Sequence, residues 1–255
     1  MSRLLSVEHL VTLGVIALSI AALVTAARLG PTGPASRPAI ASPRGAEDSR
    51  GWTLLACRVL AIVIVANECG WWVWLGFQHT WSASYALPLQ LCDVVAFVAA
   101  AALWFRQPLL VELTYFWGLA GTVNGLISPD LPDHFPSYLF LQYFIAHGAI
   151  VAAALMLVVG LRITPRRGAV ARVLALTLAL SVIDSAANLL TGGNYMYLRY
   201  KPGVPSLLDL MGPWPWYVFE SAGLAVAIFV ALDLPFVIRR HRPAHAGAHI
   251  TESNR

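Results

Sequence analysis

A cysteine and a histidine inside long apolar stretches are the residues of this chain best suited to chemistry. Cys92 is our candidate nucleophile, because a thiol attacks as the thiolate, and His147 is our candidate base, because an imidazole can take that proton. A carboxylate can then orient the imidazole, and Asp184 is our first choice. The alternatives are a cysteine that fills space and a histidine that hydrogen-bonds to a neighbouring helix.

Three further acids, Glu68, Asp93 and Glu220, share with Asp184 the lack of a Lys or Arg at their depth in the apolar stretches. We expect at least one of the four to be protonated or to line a wet cavity; the alternative is simple hydrogen bonding between helices. No HExxH or HxxxD pattern accompanies them, so we predict no metal site and no cofactor.

The elements that must position these residues are apolar helices. The chain of 255 residues is 58% hydrophobic and only 12% charged, which predicts an all-α membrane protein. Each of seven stretches reaches the roughly 20 residues that a helix needs to cross a bilayer. The predicted spans are 7–29, 52–77, 86–105, 108–128, 137–161, 169–191 and 214–238.

The basic residues predict the orientation of this bundle. With the N-terminus outside, 14 of the 17 Lys and Arg residues fall on the cytoplasmic side, as the positive-inside rule requires. The C-terminus is then cytoplasmic. This placement explains the net charge of +4 without nucleic-acid binding. We predict one membrane domain over residues 1–238 with a flexible linker at 30–51, and a disordered tail at 239–255.

Depth groups the unusual polar residues in the outer halves of the helices, and we expect them to meet in a pocket there. Two asparagines can donate to an oxyanion, and an Arg–Lys pair can hold a lipid phosphate. Aromatic residues in the outer loops are denser than an interfacial belt requires and predict a cap over the pocket. The candidate substrate contacts are Asn124, Asn188, Tyr195, Arg199, Lys201 and Trp216.

Several motifs resemble those of the YwaF-like family of integral membrane proteins. They are LPLQLCD (87–93), GTVNGLISPDL (121–131), FPSYLFLQYFIAH (135–147), NYMYLRYKP (194–202) and DLMGPWPWY (209–217). Apparent eukaryotic relatives of that family are acyltransferases that remodel ether phospholipids with a cysteine and a histidine. The resemblance implies that Cys92 and His147 match those two residues, although Asp93 follows Cys92 where those enzymes carry histidine.

Taken together, the residues and the resemblance favour an acyltransferase or acyl hydrolase that acts on a phospholipid of the cell membrane from the outer leaflet. One alternative is a transporter or proton-coupled permease that uses the intramembrane acids and His147. Another is a membrane protein that binds lipid without catalysis. The sequence predicts no oligomeric state.

Overall fold

The computed structural model describes residues 6–29, 43–131, 133–203 and 205–241, and for 43–50 it describes the backbone alone. These ranges hold helices, turns and loops, and no strand lies among them. The all-α prediction is therefore confirmed. The α-helices are α1 (Val7–Leu29), α2 (Pro43–Phe77), α3 (Leu91–Phe105), α4 (Pro108–Trp117), α5 (Val123–Ile127), α6 (Tyr138–Leu155), α7 (Ala169–Thr191) and α8 (Trp216–His241).

Two of these helices continue through π-helical turns. Gly118–Thr122 joins α4 to α5 in helical dihedrals, so α4 and α5 form one rod, and Met156–Gly160 extends α6. The described residues thus hold seven rods at the predicted positions. Five of them are long and apolar enough to cross a membrane: α1, α2 from Gly51, α6 with its extension, α7 and α8. The chain is a multi-pass membrane protein by these helices. The third rod, α3, is apolar but has only 15 residues.

The helix bounds differ from the prediction in two places. The third helix was predicted from residue 86, but it begins at Leu91, because residues 86–90 form turns, with Leu87 N donating to the Tyr195 hydroxyl of the loop 192–215. The second helix begins at Pro43, so residues 43–51 of the predicted linker are helical. Proline suits a first helical turn, because its missing N–H would be unpaired there.

The rest of the predicted linker, residues 30–42, lies outside the described residues, as do residues 242–255 of the predicted tail. Residues 239–241 of that tail complete α8.

Helix α6 is the axis of the bundle. Within the protein, 78% of its apolar window is buried, against 28% or less for the other four spanning candidates. It packs on α1, α2, α3 and the α4–α5 rod. Small buried residues at these contacts, such as Ala96, Ala99 and Ala153, let the backbones approach closely. Any side chain on the inward faces of α6 is therefore held among several helices.

The two ends of the bundle differ in their polar contacts. At one end, here the Glu112 end, the fully buried Glu112 carboxylate accepts from Arg166 Nε at 2.8 Å and from Arg172 Nη2 at 2.8 Å. This paired charge satisfies a carboxylate that lipid would penalise alone. The other end, here the Tyr195 end, carries the loop 192–215 between α7 and α8.

Candidate functional site

His147 is buried on α6, and its ring is fixed by its own helix. Nδ1 lies 2.8 Å from the carbonyl oxygen of Tyr143. A carbonyl oxygen can only accept, so Nδ1 carries the proton. In the neutral ring, Nε2 then carries a lone pair. The local structure therefore leaves Nε2 unprotonated in the neutral ring, which is the state that the predicted role as a base requires.

Gly125 of α5 faces that nitrogen. A Cβ atom at Gly125 would lie 2.9 Å from His147 Nε2 and 2.7 Å from Cδ2, closer than real Cβ atoms come. The Tyr143 ring stacks on the His147 ring with centroids 4.0 Å apart, and its hydroxyl donates to the Gly125 carbonyl at 2.9 Å. Glycine is thus required at position 125 for the close approach of α5 to the ring.

Cys92 lies in the first turn of α3 and is partly exposed. Its thiol is approached by the side chain of Thr122, which is completely buried. In the described part of the chain, the Thr122 hydroxyl makes no hydrogen bond of normal geometry. A buried hydroxyl without a partner is costly, which singles out the Thr122 side chain beside the thiol.

Cys92 and His147 approach the same face of the α4–α5 rod. Thr122, beside the thiol, and Gly125, beside the imidazole, are three residues apart and share that face. The helical rise separates them by about 4.5 Å along the rod. No hydrogen bond joins Cys92 to His147 among the described residues. The two groups therefore lie against neighbouring turns of the α4–α5 rod.

Two of the predicted acids lie near Cys92. Asp93 and Glu68 are both close enough to interact electrostatically with the thiol, and Glu68 also interacts with Asp93. Glu68 is buried on α2, whereas Asp93 is partly exposed on α3. The structure thus brings Glu68, Cys92 and Asp93 together from two helices.

Asp184 occupies a different place from the one its predicted role requires. The His147 ring is oriented by the Tyr143 carbonyl, and no hydrogen bond links His147 to Asp184 in the described ranges. The physical reason is that α7, which carries Asp184, packs mainly on α8, α4 and the turn 195–197. Asp184 is fully buried there, and neither carboxylate oxygen has a hydrogen-bond partner among the described residues.

Two of the predicted substrate contacts instead hold the loop 192–215. The Asn188 side chain accepts from Tyr195 N at 2.6 Å and donates to Tyr195 O at 3.1 Å. The Tyr195 hydroxyl donates to Ala83 O at 2.7 Å and accepts from Leu87 N at 3.1 Å. Both side chains are buried and engaged, so they fix the loop above α3.

The charged candidates at the Tyr195 end are also engaged with backbone. Arg199 Nη1 donates to Gly193 O at 3.1 Å, and Lys201 Nζ donates to Met211 O at 2.9 Å. Exposed Glu220 accepts from Gly212 N at 2.9 Å, outside the group around Cys92. The Arg199 side chain is exposed, and among the described residues only its Nη1 is seen to donate, which leaves Nη2 and Nε for an anion.

The last two candidates, Asn124 and Trp216, are exposed. Asn124 precedes Gly125, so it lies beside the His147 contact but points about 100° away from it. The Trp216 side chain is 62% exposed at the start of α8, and its ring centroid lies 6.3 Å from that of Phe219. Such a ring at a helix end is typical of an interfacial anchor.

Sequence reasoning missed Tyr197, a tyrosine of the loop 192–215 that lies near Cys92 and Tyr143. The Tyr197 hydroxyl donates to Asp130 Oδ2 at 2.7 Å, and Tyr197 lies within electrostatic range of both Tyr143 and Cys92. Burial, together with the adjacent Asp130, raises the pKa of Tyr197 above its usual value. No spacing rule connects position 130 with position 197; the only sequence signal was that both lie in motifs quoted above.

The residues around Cys92 and His147 are hereafter called the Cys–His cluster: Glu68, Cys92, Asp93, Thr122, Gly125, Tyr143, His147 and Tyr197. Among the described residues, no three His, Cys, Asp or Glu side chains come together as a metal site.

A comparison with protein families places this cluster in a known context. The model of the TMEM164 family matches residues 4–233, which is nearly the whole chain. The chain belongs to the TMEM164 family. The matched range includes α1 to α7, most of α8 and the whole Cys–His cluster. Neither the comparison with curated proteins nor that with solved structures gave a match for this TMEM164 family member. The YwaF-like resemblance and its acyltransferase relatives stay predictions.

Proposed function

We propose that this TMEM164 family member is a membrane enzyme that moves or hydrolyses an acyl chain of a phospholipid. Cys92 is the nucleophile and His147 is the base. The observation that carries the proposal is the fixed His147 ring, whose unprotonated Nε2 faces the same helix surface that the Cys92 thiol reaches. Membrane lipid is the substrate class because the helices around this surface are apolar.

The proposed reaction has two halves. In the first, the Cys92 proton passes to His147 Nε2, the thiolate attacks the ester carbonyl, and a C–S bond replaces the C–O bond. The departing lysophospholipid alkoxide takes the proton from His147. In the second, the hydroxyl of a lysophospholipid or of water attacks the thioester, and the thiol is restored.

The remaining roles are assigned to hydrogen-bond donors that have no protein partner among the described residues. The Thr122 hydroxyl has no partner of normal geometry and lies beside the thiol, so it is our first choice to stabilise the negative oxygen of the intermediate. Asn124 is the second choice. Arg199 can pair with a lipid phosphate through its free nitrogens. Asn188 and Tyr195 hold the loop and so support the site from outside.

The proposed topology has seven spans, with α3 and the α4–α5 rod as the third and fourth. The N-terminus lies outside the cell membrane and the C-terminus in the cytoplasm, so the Tyr195 end faces outward. The 14-to-3 distribution of basic residues supports this orientation. Reporter fusions at each terminus test it; a cytoplasmic N-terminus would contradict it.

The function is tested by lipid profiling of cells that express the wild type, Cys92→Ala or His147→Ala. We expect the wild type to change the acyl composition of phospholipids and the Cys92→Ala and His147→Ala variants to leave it unchanged. Cys69→Ala is the matched control, because Cys69 is an exposed cysteine of α2 outside the cluster. The proposal fails if all four samples have the same acyl composition at equal protein levels.

A transporter is the second candidate, and one observation favours it. The buried Asp184 carboxylate without partners among the described residues is the kind of group that a proton or cation relay uses. Flux into proteoliposomes that depends on Asp184 but not on Cys92 would support this function. Lipid that co-purifies without covalent labelling of Cys92 would instead indicate a lipid-binding protein without catalysis.

A further inference from the structure

Four exposed arginines form a surface patch at the Glu112 end of the bundle. Arg28 lies in the last turn of α1, and Arg239 lies in the last turn of α8. Arg162 and Arg167 lie in the loop 161–168, between the extension of α6 and the start of α7. These four residues are hereafter called the arginine patch. Each of its guanidinium groups is therefore carried by the end of an apolar rod or by the loop between two such rods.

Contacts with backbone carbonyls bring the patch together around the loop 161–168. Arg28 Nε donates to the Val159 carbonyl at 3.0 Å, just before the loop begins. Arg240, the residue after the α8 arginine of the patch, donates to the Pro165 carbonyl within the loop. The ends of α1 and α8 are thus both fastened to this loop. Arginines held in this way lose little freedom when they bind a ligand.

The patch has no negative partner among the described side chains. Those at the Glu112 end include two acids, Glu112 and Asp233, and both accept from arginines outside the patch. Glu112 pairs with Arg166 and with Arg172 at 2.8 Å each, and Asp233 pairs with Arg240 at 3.4 Å. The positive charges of the patch are therefore uncompensated within the described part of the chain. Charge complementarity selects an anion as their partner.

Arg162 has a backbone conformation that favours glycine. Its φ is 59°, in the left-handed region, where the Cβ atom crowds the following carbonyl oxygen. Glycine would form the same turn after the extension of α6 without that cost. The turn therefore does not account for an arginine at this position. Strain at a residue with an exposed, charged side chain favours a role for the guanidinium itself.

The depth of the patch selects the source of the anion. The rods that carry these arginines or flank their loop are long and apolar enough to cross a membrane, so their ends lie at the level of the lipid headgroups. Apolar side chains adjoin two of the arginines: Leu29, beside Arg28, is 75% exposed, and Ile238, beside Arg239, is 50% exposed. A phospholipid presents phosphate next to hydrocarbon at such a boundary, whereas a soluble anion would leave these apolar side chains in water.

We infer that the arginine patch binds the headgroups of anionic phospholipids in the leaflet at the Glu112 end. A lipid with net negative charge is favoured over a zwitterionic lipid, whose ammonium group the patch repels. In the proposed orientation this is the cytoplasmic leaflet, on the opposite side from the proposed substrate. The inference depends neither on that orientation nor on the proposed reaction. Bound headgroups hold the ends of α1 and α8 against the loop 161–168.

Lipid retention by the full-length protein tests the inference. The protein is purified in a non-ionic detergent with equal amounts of phosphatidylglycerol and phosphatidylcholine that have identical chains, and mass spectrometry counts the lipids that stay bound. We expect the wild type to retain mainly phosphatidylglycerol. One arginine near an anionic surface contributes about fivefold, so Arg162→Gln combined with Arg167→Gln should lower the preference about twentyfold. Arg162→Lys combined with Arg167→Lys is the matched control, because it keeps both charges and should keep the preference.

Arg162→Gly separates the binding of lipid from the geometry of the turn. It removes the strained conformation and the charge together. We therefore expect a higher melting temperature in detergent without lipid, and a preference for phosphatidylglycerol that is about fivefold lower. Because glycine suits this turn, the variant also decides the question should the double glutamine variant fail to fold.

Four results would overturn the inference. The first is equal retention of the two lipids by the wild type. The second is an unchanged preference in the glutamine and glycine variants, which would mean that the arginines serve membrane insertion alone. The third is an equal loss of preference in the lysine and glutamine variants, since charge would then not be the basis of binding. The fourth is displacement of phosphatidylglycerol by an equal concentration of glycerol phosphate, which would indicate a site for a soluble anion.

Discussion

Replacing Gly125 with alanine is the sharpest test of the His147 geometry. The new methyl group would lie 2.7 Å from Cδ2 and 2.9 Å from Nε2 of the ring. To regain a carbon–carbon separation of about 3.5 Å, the ring or α5 must move by about 0.8 Å. The ring is stacked on Tyr143 and bonded to its carbonyl, so it has little freedom to yield.

This displacement should affect stability and activity to different degrees. Overpacking costs about 1–3 kcal/mol of unfolding free energy. A misplacement of about 1 Å in a catalytic group costs about a hundredfold in rate. We expect Gly125→Ala to fold, with a lowered melting temperature, and to lose nearly all of the change in phospholipid acyl composition. Purified protein gives the first readout, and lipid profiling of cells gives the second.

Gly223→Ala is the control for this change. It makes the same substitution inside α8, where a Cβ would meet no atom within 4 Å. It should retain full activity and be slightly stabilised by helix propensity. If Gly125→Ala were as stable and as active as Gly223→Ala, the position of the His147 ring against α5 would have no functional role, and the proposed base would be refuted.

Three further changes test individual contacts. Glu112→Gln should lower the unfolding free energy by about 2 kcal/mol, less than for a fully buried pair because Arg166 and Arg172 are partly exposed; thermal denaturation at neutral pH measures it, and an unchanged midpoint contradicts it. Tyr143→Phe keeps the ring stack but removes the bond to Gly125 O, so it should cost about 1 kcal/mol and leave His147 in place; complete loss of activity would show that the hydroxyl itself takes part. Because the folded protein raises the pKa of Tyr197, stability should fall as pH rises above the ordinary tyrosine pKa of about 10. Tyr197→Phe should flatten that fall above about pH 10, and identical slopes would contradict the assignment.

The rods were predictable because length and hydropathy alone decide whether a helix can cross lipid. The two helix starts that differed were set by other forces. Leu91 starts α3 late because the turn before it is tied to the Tyr195 hydroxyl, more than 100 residues away in sequence. Pro43 starts α2 early, in a segment whose Gly and Ser residues favoured a linker. Neither tertiary contacts nor weak local propensities are visible in a hydropathy profile.

The site was partly predictable, since buried polar residues in lipid need a reason to be there. Their predicted depth in the membrane singled out Cys92 and His147. The partner of each residue, however, depends on how its helix is rotated and on which helices pack beside it. The orienting acceptor of His147 is a backbone carbonyl, which any sequence provides, so nothing in the residue types pointed to it rather than to Asp184. In the same way, Asn188 and Lys201 bind backbone atoms of the loop 192–215, and residue types do not reveal partners of that kind.

The hydrogen bond from His147 to its own helix has a consequence for how the bundle can move. Donor and acceptor are one turn apart on a single rigid rod, so the proton stays on Nδ1 whatever the neighbouring rods do. A shift of α3 against α6 would therefore leave the imidazole lone pair pointing in the same direction. In the proposed mechanism, such a shift would change the distance between the ring and the Cys92 thiol but not the protonation of Nδ1.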